Sequence, residues 1–322
     1  MRAYIEQELA KSAVPMTVKT DPLGNLIVRL QGKQSAPCHV AFAAHMDEVG
    51  GIVTGVDENG FAVMETVGGI SDAVLFGRRV TVNGLSGVIG GKAIHQCSAE
   101  EKTKLPNKEK RFMDFGTDSK EATLRLLKPG DSVYFDEPWQ VLENGHIAAK
   151  ALDDRVGCYL LLQLAQTQPL YDITLLFTVQ EEVGLRGARV AGFAVQPDFA
   201  VIVDATTAAD TAGVPSLKEV CRQGRGAVVS FMDNATVYDK ELFDFILAEA
   251  AANGLSVQVK EAVAGGNDAG AFQTAGSGVR VAAVSLPCRY IHSPSCVLNT
   301  ADIAATEAVL RLLAARLPEG AV

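Results

Sequence analysis

Aromatic side chains are scarce in this chain. They make up 6% of its 322 residues, and Trp139 is the single tryptophan. The core must therefore be filled by Ala, Val, Leu and Ile. No apolar run approaches the roughly 20 residues that cross a bilayer. The longest, residues 173–179 and 281–287, are of strand length. The opening Met1-Arg2-Ala3-Tyr4-Ile5-Glu6-Gln7-Glu8 has no apolar stretch of the secretory kind. The six cysteines (Cys38, Cys97, Cys158, Cys221, Cys288, Cys296) form no C-x-x-C pair. That argues against a disulfide framework and for reduced thiols in the cytoplasm. Positive charge is not in excess: 29 Lys and Arg face 38 Asp and Glu, for a net −9. Neither nucleic acid nor an anionic membrane is then the expected partner. The cations between Lys102 and Arg111 are interleaved with acids and read as a solvated face. Internal repeats and low-complexity segments are absent.

Apolar residues make up 48% and charged residues 21%, the composition of a globular protein. The length suits one large domain or two ordinary ones. Residues 1–11 read as the end of an amphipathic helix. A turn at Asp21-Pro22-Leu23-Gly24-Asn25 separates two short strands, and the apolar run 39–44 ends at His45. From about residue 51 to 147 the texture becomes β-rich, with short alternating segments such as 60–65 and 79–84. A charged loop over 98–120 interrupts it, and Asp118 with Glu121 reads as a capping box opening a short helix. After residue 150, helices at 156–166, 185–191, 241–253 and 300–316 alternate with strands at 173–179, 199–203 and 281–286. This alternation predicts an α/β fold with a doubly wound, mostly parallel sheet. The catalytic part would comprise residues 1–47 and 148–322, interrupted by a β-rich insert at 48–147.

The chemistry follows from what stands after each strand. The run 40–44 delivers His45-Met46-Asp47, 173–179 delivers Glu181-Glu182, 199–203 delivers Asp204, and 281–286 leads to His292. In open α/β sheets ligands bind at that carboxyl edge. Asp153 and Asp154 open a helix instead. Each group alone has an ordinary reading: a hydrogen-bonded histidine, solvated loop acids, helix N-terminal acids, an N-cap. Together they would concentrate negative charge that only a cation neutralises. Imidazole with carboxylate suits zinc, cobalt or manganese. Two histidines with three or four acids exceed the needs of one catalytic ion and fit two, about 3.5–4 Å apart, with Asp153 available as the bridge.

The segments His45-Met46-Asp47-Glu48-Val49-Gly50, Ala151-Leu152-Asp153-Asp154-Arg155, Gln180-Glu181-Glu182-Val183-Gly184, Gly265-Gly266-Asn267-Asp268-Ala269-Gly270 and Arg289-Tyr290-Ile291-His292-Ser293-Pro294 resemble, in order, those of the glutamyl/tetrahedral aminopeptidases. These are co-catalytic metallopeptidases. Asn267 stands where that family usually has Thr, and the family's longer N-terminal helix is missing before residue 1. The resemblance implies a metalloaminopeptidase acting on peptides. In it His45, Asp153, Glu182, Asp204 and His292 bind two divalent ions, with Asp153 bridging. It further implies Glu181 as general base, Asp47 holding the His45 imidazole, and Asp154 and Arg155 in support. It also implies dimers, formed through the insert, that build a dodecamer. A deacylase or carboxypeptidase on the same scaffold is the alternative, with Arg289 as the candidate clamp for a substrate carboxylate. A non-catalytic relict is the other.

Overall fold

The computed structural model describes residues 1–103, 110–320 and 322. After helix α1 (Arg2–Leu9), strands β1 (Met16–Thr20) and β2 (Leu26–Leu30) form a hairpin, and β3 (Val40–His45) follows. β4 (Gly50–Val56), β5 (Ala62–Val67), β6 (Arg79–Val82), β7 (Leu85–Gly91), β8 (Arg111–Asp114) and β9 (Ser132–Phe135) close into a barrel in the order β4-β5-β8-β7-β6-β9. Helices α2 (Ala99–Thr103) and α3 (Lys120–Leu124) lie between its strands in the chain. β10 (Gln140–Val141) and β11 (His146–Ala149) then pair with the late strand β17 (Cys296–Asn299) as a small sheet.

The remainder alternates: α4 (Leu152–Leu164), β12 (Ile173–Thr178), α5 (Arg186–Val195), β13 (Phe199–Thr207), β14 (Ala227–Val229), α6 (Lys240–Ala252), β15 (Val257–Val259), α7 (Ala269–Gln273), β16 (Arg280–Cys288) and, after β17, α8 (Thr300–Arg316). The main sheet has eight strands in the order β1-β2-β12-β3-β13-β16-β14-β15. The central four, β12, β3, β13 and β16, run parallel. β14 is antiparallel to β16, and β15 parallels β14.

All six residues of β3 and of β12 are buried. This is why these strands are mostly apolar with no alternation, polar only at Thr174, Thr178 and the terminal His45: a parallel sheet is covered on both sides. Phe42, Phe177, Val201 and Val284 pack with residues of α1, α4, α6 and α8, such as Ile5, Leu160, Ile246 and Leu310. The alternate residues Ala43, Leu176, Ile202 and Ala283 pack with Ala188 and Ala191 of α5 and Phe272 of α7. The period-two geometry of a strand sends successive side chains to these opposite layers. Many of the second-layer strand residues are alanine, so α5 and α7 sit close to the sheet.

Inside the barrel, Val53, Met64, Val80, Val82, Ile89, Met113, Val133 and Phe135 fill the core. β9 alternates exposed and buried residues, as barrel walls do. Two sequence expectations change here. The cap of α3 is Ser119, whose hydroxyl accepts the Ala122 N–H, and not Asp118. The charged segment is not uniformly solvated: Arg111 is 3% exposed and pairs with Asp72 beneath the barrel wall. Residues 104–109 of that segment lie outside the described residues.

Candidate metal centre

β3 ends on His45, which is 3% exposed. The β13–β3 register pairs Phe199 with Val40 through Ile202 with Ala43, and the same offset brings Asp204 level with His45. Asp204 Oδ1 lies 3.7 Å from His45 Nε2. The sequence reading set Asp204 beyond its strand. β13 in fact continues to Thr207, and Asp204 points from within it.

Asp153 and Asp154 stand at the start of α4 with non-helical backbone, so they are not dipole-complementing acids of a regular first turn. The two oxygens of Asp153 face different imidazoles. Oδ1 is 3.2 Å from His45 Nε2, and Oδ2 is 3.5 Å from His292 Nε2. Glu182 Oε2 is also 3.5 Å from His292 Nε2.

Both imidazoles are fixed from behind by a backbone carbonyl. His45 Nδ1 is 3.1 Å from Asp47 O, and His292 Nδ1 is 3.2 Å from Gly69 O. An Nδ1–H donated to each carbonyl leaves each Nε2 lone pair facing the carboxylates, the usual way a ligand tautomer is set. Gly69 belongs to the turn after β5. A side chain there would meet His292 Nδ1 at 3.3 Å, and one on Gly68 would meet Glu182 Oε2 at 3.4 Å. The barrel therefore lays its Gly68-Gly69 turn against the cluster, and Gly68, at φ +83 and with Val49 Cγ1 2.8 Å from where a Cβ would stand, needs to be glycine.

The carboxylate of Asp47 acts mainly elsewhere. It accepts the backbone N–H of Glu181 at 3.1 Å and of Glu182 at 3.2 Å, and stands 3.6 Å from His45 Nδ1. Asp154 is fully buried and accepts the His45 and Gly157 N–H groups at 3.2 and 3.0 Å. Arg155 pairs with Glu48, which Lys150 also holds at 2.8 Å. Arg289 makes a two-pronged contact with Asp210 at 2.7 and 2.8 Å, so its guanidinium is already committed.

Burial lifts the Asp204 and Asp154 carboxyls well above the ordinary range, and neighbouring Asp153 adds to both. Burial likewise lifts Glu181 to about 8, Glu182 to about 7 and Asp268 to about 6. The hydrogen bond to Asp153 raises His292 to about 9. Burial opposes protonation of His45, yet Asp153, Asp47 and Asp204 outweigh it and raise it well. The same imidazoles hold Asp153 below its ordinary value against its own burial. The cluster thus draws positive charge from any source, protons included, which is the electrostatic condition for a cation site.

The donor set fits a metal. Ligand-capable atoms of His45, Asp153 and Glu182 all lie within 4.8 Å of one another, as do those of His45, Asp154 and Asp204. Glu182 Oε1 is buried with no hydrogen-bond partner among the described residues, an oxygen that a cation would satisfy.

A cavity of ≈ 330 Å³ opens onto His45, Asp153, Glu181, Asp204 and His292. Its lining also includes Lys260 and residues 264–267. Lys260 was not singled out from sequence. The reason is topological: β15 runs against the parallel strands, so the rule of looking past their carboxyl ends does not reach it. Gly69 was equally illegible, because its contribution is a backbone carbonyl.

A buried imidazole, a second half-exposed one and their carboxylates at the carboxyl edge of an α/β sheet, beside an open cavity, define a metallohydrolase-type centre. Residues 24–309 match the M42 glutamyl aminopeptidase family, and the chain belongs to that family. It is a metal-dependent aminopeptidase, a hydrolase of peptide bonds. A putative aminopeptidase of Acetivibrio thermocellus is 35% identical over 288 residues, covering 89% of this chain and 84% of that one. An aminopeptidase from the archaeon Desulfurococcus kamchatkensis superposes with a TM-score of 0.92 at 29% identity, covering 98% of this chain and 89% of that one. The TET1 peptidase of Pyrococcus horikoshii, which can assemble into a tetrahedron or a large octahedral shell, gives 0.85 at 31% identity, covering 98% and 93%.

Proposed function

We propose that this aminopeptidase releases N-terminal residues from peptides at two divalent ions, zinc, cobalt or manganese. One would be held by His45, Asp153 and Asp204, the other by Asp153, Glu182 and His292. The observation that carries this reading is the division of Asp153, whose Oδ1 faces His45 and whose Oδ2 faces His292. Asp154 is left out because two backbone N–H groups already occupy its oxygens. Bound ions supply a more acidic water and a polarised substrate carbonyl. Glu181 takes the proton of the attacking water and gives it to the departing amine. Its carboxyl is pushed up by burial first and by Asp268 and Glu182 among its neighbours, and cations beside it return it to the ionised form that a base requires. Asp47 holds Glu181 and Glu182 by their backbone N–H groups, aiming one into the cavity and the other at a metal.

We further propose that residues 1–47 and 148–322 form the catalytic domain, with a doubly wound sheet, and that 48–147 form an inserted β-rich domain. The insert would pair two copies, and dimers would build a dodecamer. Exposed apolar side chains on and near the barrel, Ile52, Val88, Tyr134, Trp139 and Val141, support an interface there. Six unpaired cysteines, four of them buried, support a cytoplasmic setting. Among the described residues no helix is long and apolar enough to cross a membrane. The deacylase alternative loses its clamp, since Arg289 is engaged by Asp210.

The test is chelation with a metal count. Exhaustive chelation abolishes hydrolysis of free-amine peptides, and zinc, cobalt or manganese restores it with two ions per chain. Full activity in protein shown metal-free by elemental analysis overturns the mechanism. A count of one ion at full activity overturns the paired site.

A further inference from the structure

The stretch of cavity lining at residues 264–267 is pinned by the segment that precedes α6. The Asn234 N–H donates to Gly265 O at 2.9 Å. A Cβ added at Gly266 or Gly270 would stand 3.1 or 3.0 Å from the Ala235 Cβ, so the two segments pack without slack. The side chain of Asn267 is fixed at both of its polar atoms. Its Oδ1 accepts the Ala269 N–H at 2.9 Å, and its Nδ2 donates to the Tyr238 hydroxyl oxygen at 3.1 Å. That hydroxyl gives its own hydrogen to Asp233 Oδ2 at 2.6 Å, which is nearer than Asn267 Oδ1 at 3.3 Å. Asp233 Oδ1 in turn accepts the N–H groups of Ala235 and Thr236, both at 2.8 Å. Donors and acceptors alternate along this chain, so one orientation of the Asn267 amide satisfies it. An amide nitrogen carries two hydrogens. One goes to Tyr238, and the other has no partner among the described residues.

Asn267 is 7% exposed and lines the cavity together with His45, Asp153, Glu181 and Asp204. Its neighbour Asp268 ties it to the Glu181 side. Asp268 Oδ2 accepts the Thr178 hydroxyl at 2.6 Å, and Thr178 is level with His45 in the β12–β3 register. After burial, His45 and Asp268 are the groups whose charge acts most on the Glu181 carboxyl.

We propose that Asn267 is a further catalytic residue, whose free N–H donates to the scissile carbonyl oxygen as negative charge develops there, and that Tyr238 is the positioning residue that holds the amide for it. This rests on the aminopeptidase reading with Glu181 as base. A peptide offers such a donor its carbonyl oxygens, and of these the scissile one alone gains charge in the reaction. A fixed donor aimed at that charge raises the rate without tightening the bound ground state. The acids beside it in the cavity are acceptors when ionised and cannot do this. The hydroxyls of Thr206, Thr207 and Ser285 rotate about their C–O bonds, whereas the Asn267 amide is planar and held at both ends. Asn267 stands where the family usually has Thr, so this amide is the chain's own.

The experiment is steady-state kinetics of the metal-loaded protein on two free-amine substrates: an aminoacyl anilide, which contains only the scissile carbonyl, and a tripeptide of the same first residue. Asn267→Ala should lower kcat on the anilide by about 10²–10³-fold with KM close to wild type. Asn267→Leu keeps the volume should Asn267→Ala fail to fold. Tyr238→Phe removes only the oxygen that holds the amide, and should lower kcat in the same way by a smaller factor. An α-aminoboronic acid, whose tetrahedral adduct imitates the intermediate, should lose affinity for each variant in step with kcat/KM, while metal content stays normal. A purely structural role would lower the melting temperature without this parallel. Wild-type kcat in a folded, metal-loaded Asn267 variant overturns the donor, and wild-type kcat in folded Tyr238→Phe overturns its positioning. A rise in KM alone, or a loss confined to the tripeptide, assigns Asn267 to ground-state binding and overturns the proposal too. Failure of the wild type to cleave any free-amine substrate sinks the aminopeptidase reading along with this one, whereas an active wild type with unaffected variants sinks this inference alone.

Discussion

Replacing Asp47 by Asn tests how the two adjacent glutamates are aimed. The Asp47 carboxylate accepts two backbone N–H groups, those of Glu181 and Glu182. An amide has one acceptor oxygen and a donor in place of the other. In Asp47→Asn one of the two N–H groups must therefore face a donor. Each hydrogen bond to a charged acceptor contributes about 1.5–3 kcal/mol, so losing one costs roughly 2 kcal/mol of stability. The functional loss should be larger than that figure suggests. The released turn carries both the proposed base and a proposed ligand, and disturbing such supports typically costs 10–100-fold in metal affinity or activity. The assays are thermal melting of the metal-free variant, a competitive metal titration and kcat/KM at saturating metal. His45 should be affected little, because its Nδ1 is nearer the Asp47 backbone oxygen than the carboxylate. A variant that melts lower but keeps wild-type metal affinity and turnover would show that Asp47 only stabilises the fold, and the reasoning would be refuted.

Glu181→Gln should keep normal metal content and lose roughly 10²–10⁴-fold in turnover, whereas Glu182→Gln should lose occupancy of one metal along with activity; the reverse pattern would exchange their roles. The metal-free protein should melt higher at pH 5.5 than at pH 8. Glu181, Glu182 and Asp204 carry folded pKa values above the carboxyl value of the unfolded chain, and His292 is raised to about 9. The folded state therefore binds more protons through this window and loses stability as pH rises. Metal loading should reverse that slope, because ligands bind when deprotonated; a metal-free slope of the opposite sign would contradict the described cluster. Mass measurement at micromolar concentration should give an oligomer, and a monomer would rule out the proposed assembly.

The backbone of this site was largely legible because its logic is local. A fully buried parallel strand shows in sequence as a mostly apolar run without alternation, and the charged or imidazole residue at its end marks the sheet edge. His45 and the Glu181-Glu182 pair could be placed that way. Asp204 shows where the rule slips: β13 extends four residues past the apolar run, because polar Asp204 and Thr206 turn toward a cavity while remaining in the strand. Contacts between segments far apart in sequence were not legible. The Arg289–Asp210 pair, the burial of Arg111 against Asp72 and the cap choice between Asp118 and Ser119 depend on side-chain positions that periodicity does not encode.

The carbonyl of Gly69 is a small feature with a wide reach. It is offered by a turn of the barrel, yet it sets which nitrogen of His292 is free, 223 positions further along the chain. Exchanging the barrel for a short linker would leave all the proposed metal-binding side chains present in the chain. It would still release one imidazole to rotate and open the space that Gly68 and Gly69 close against Glu182 and His292. The barrel is in this sense part of the reaction vessel's wall.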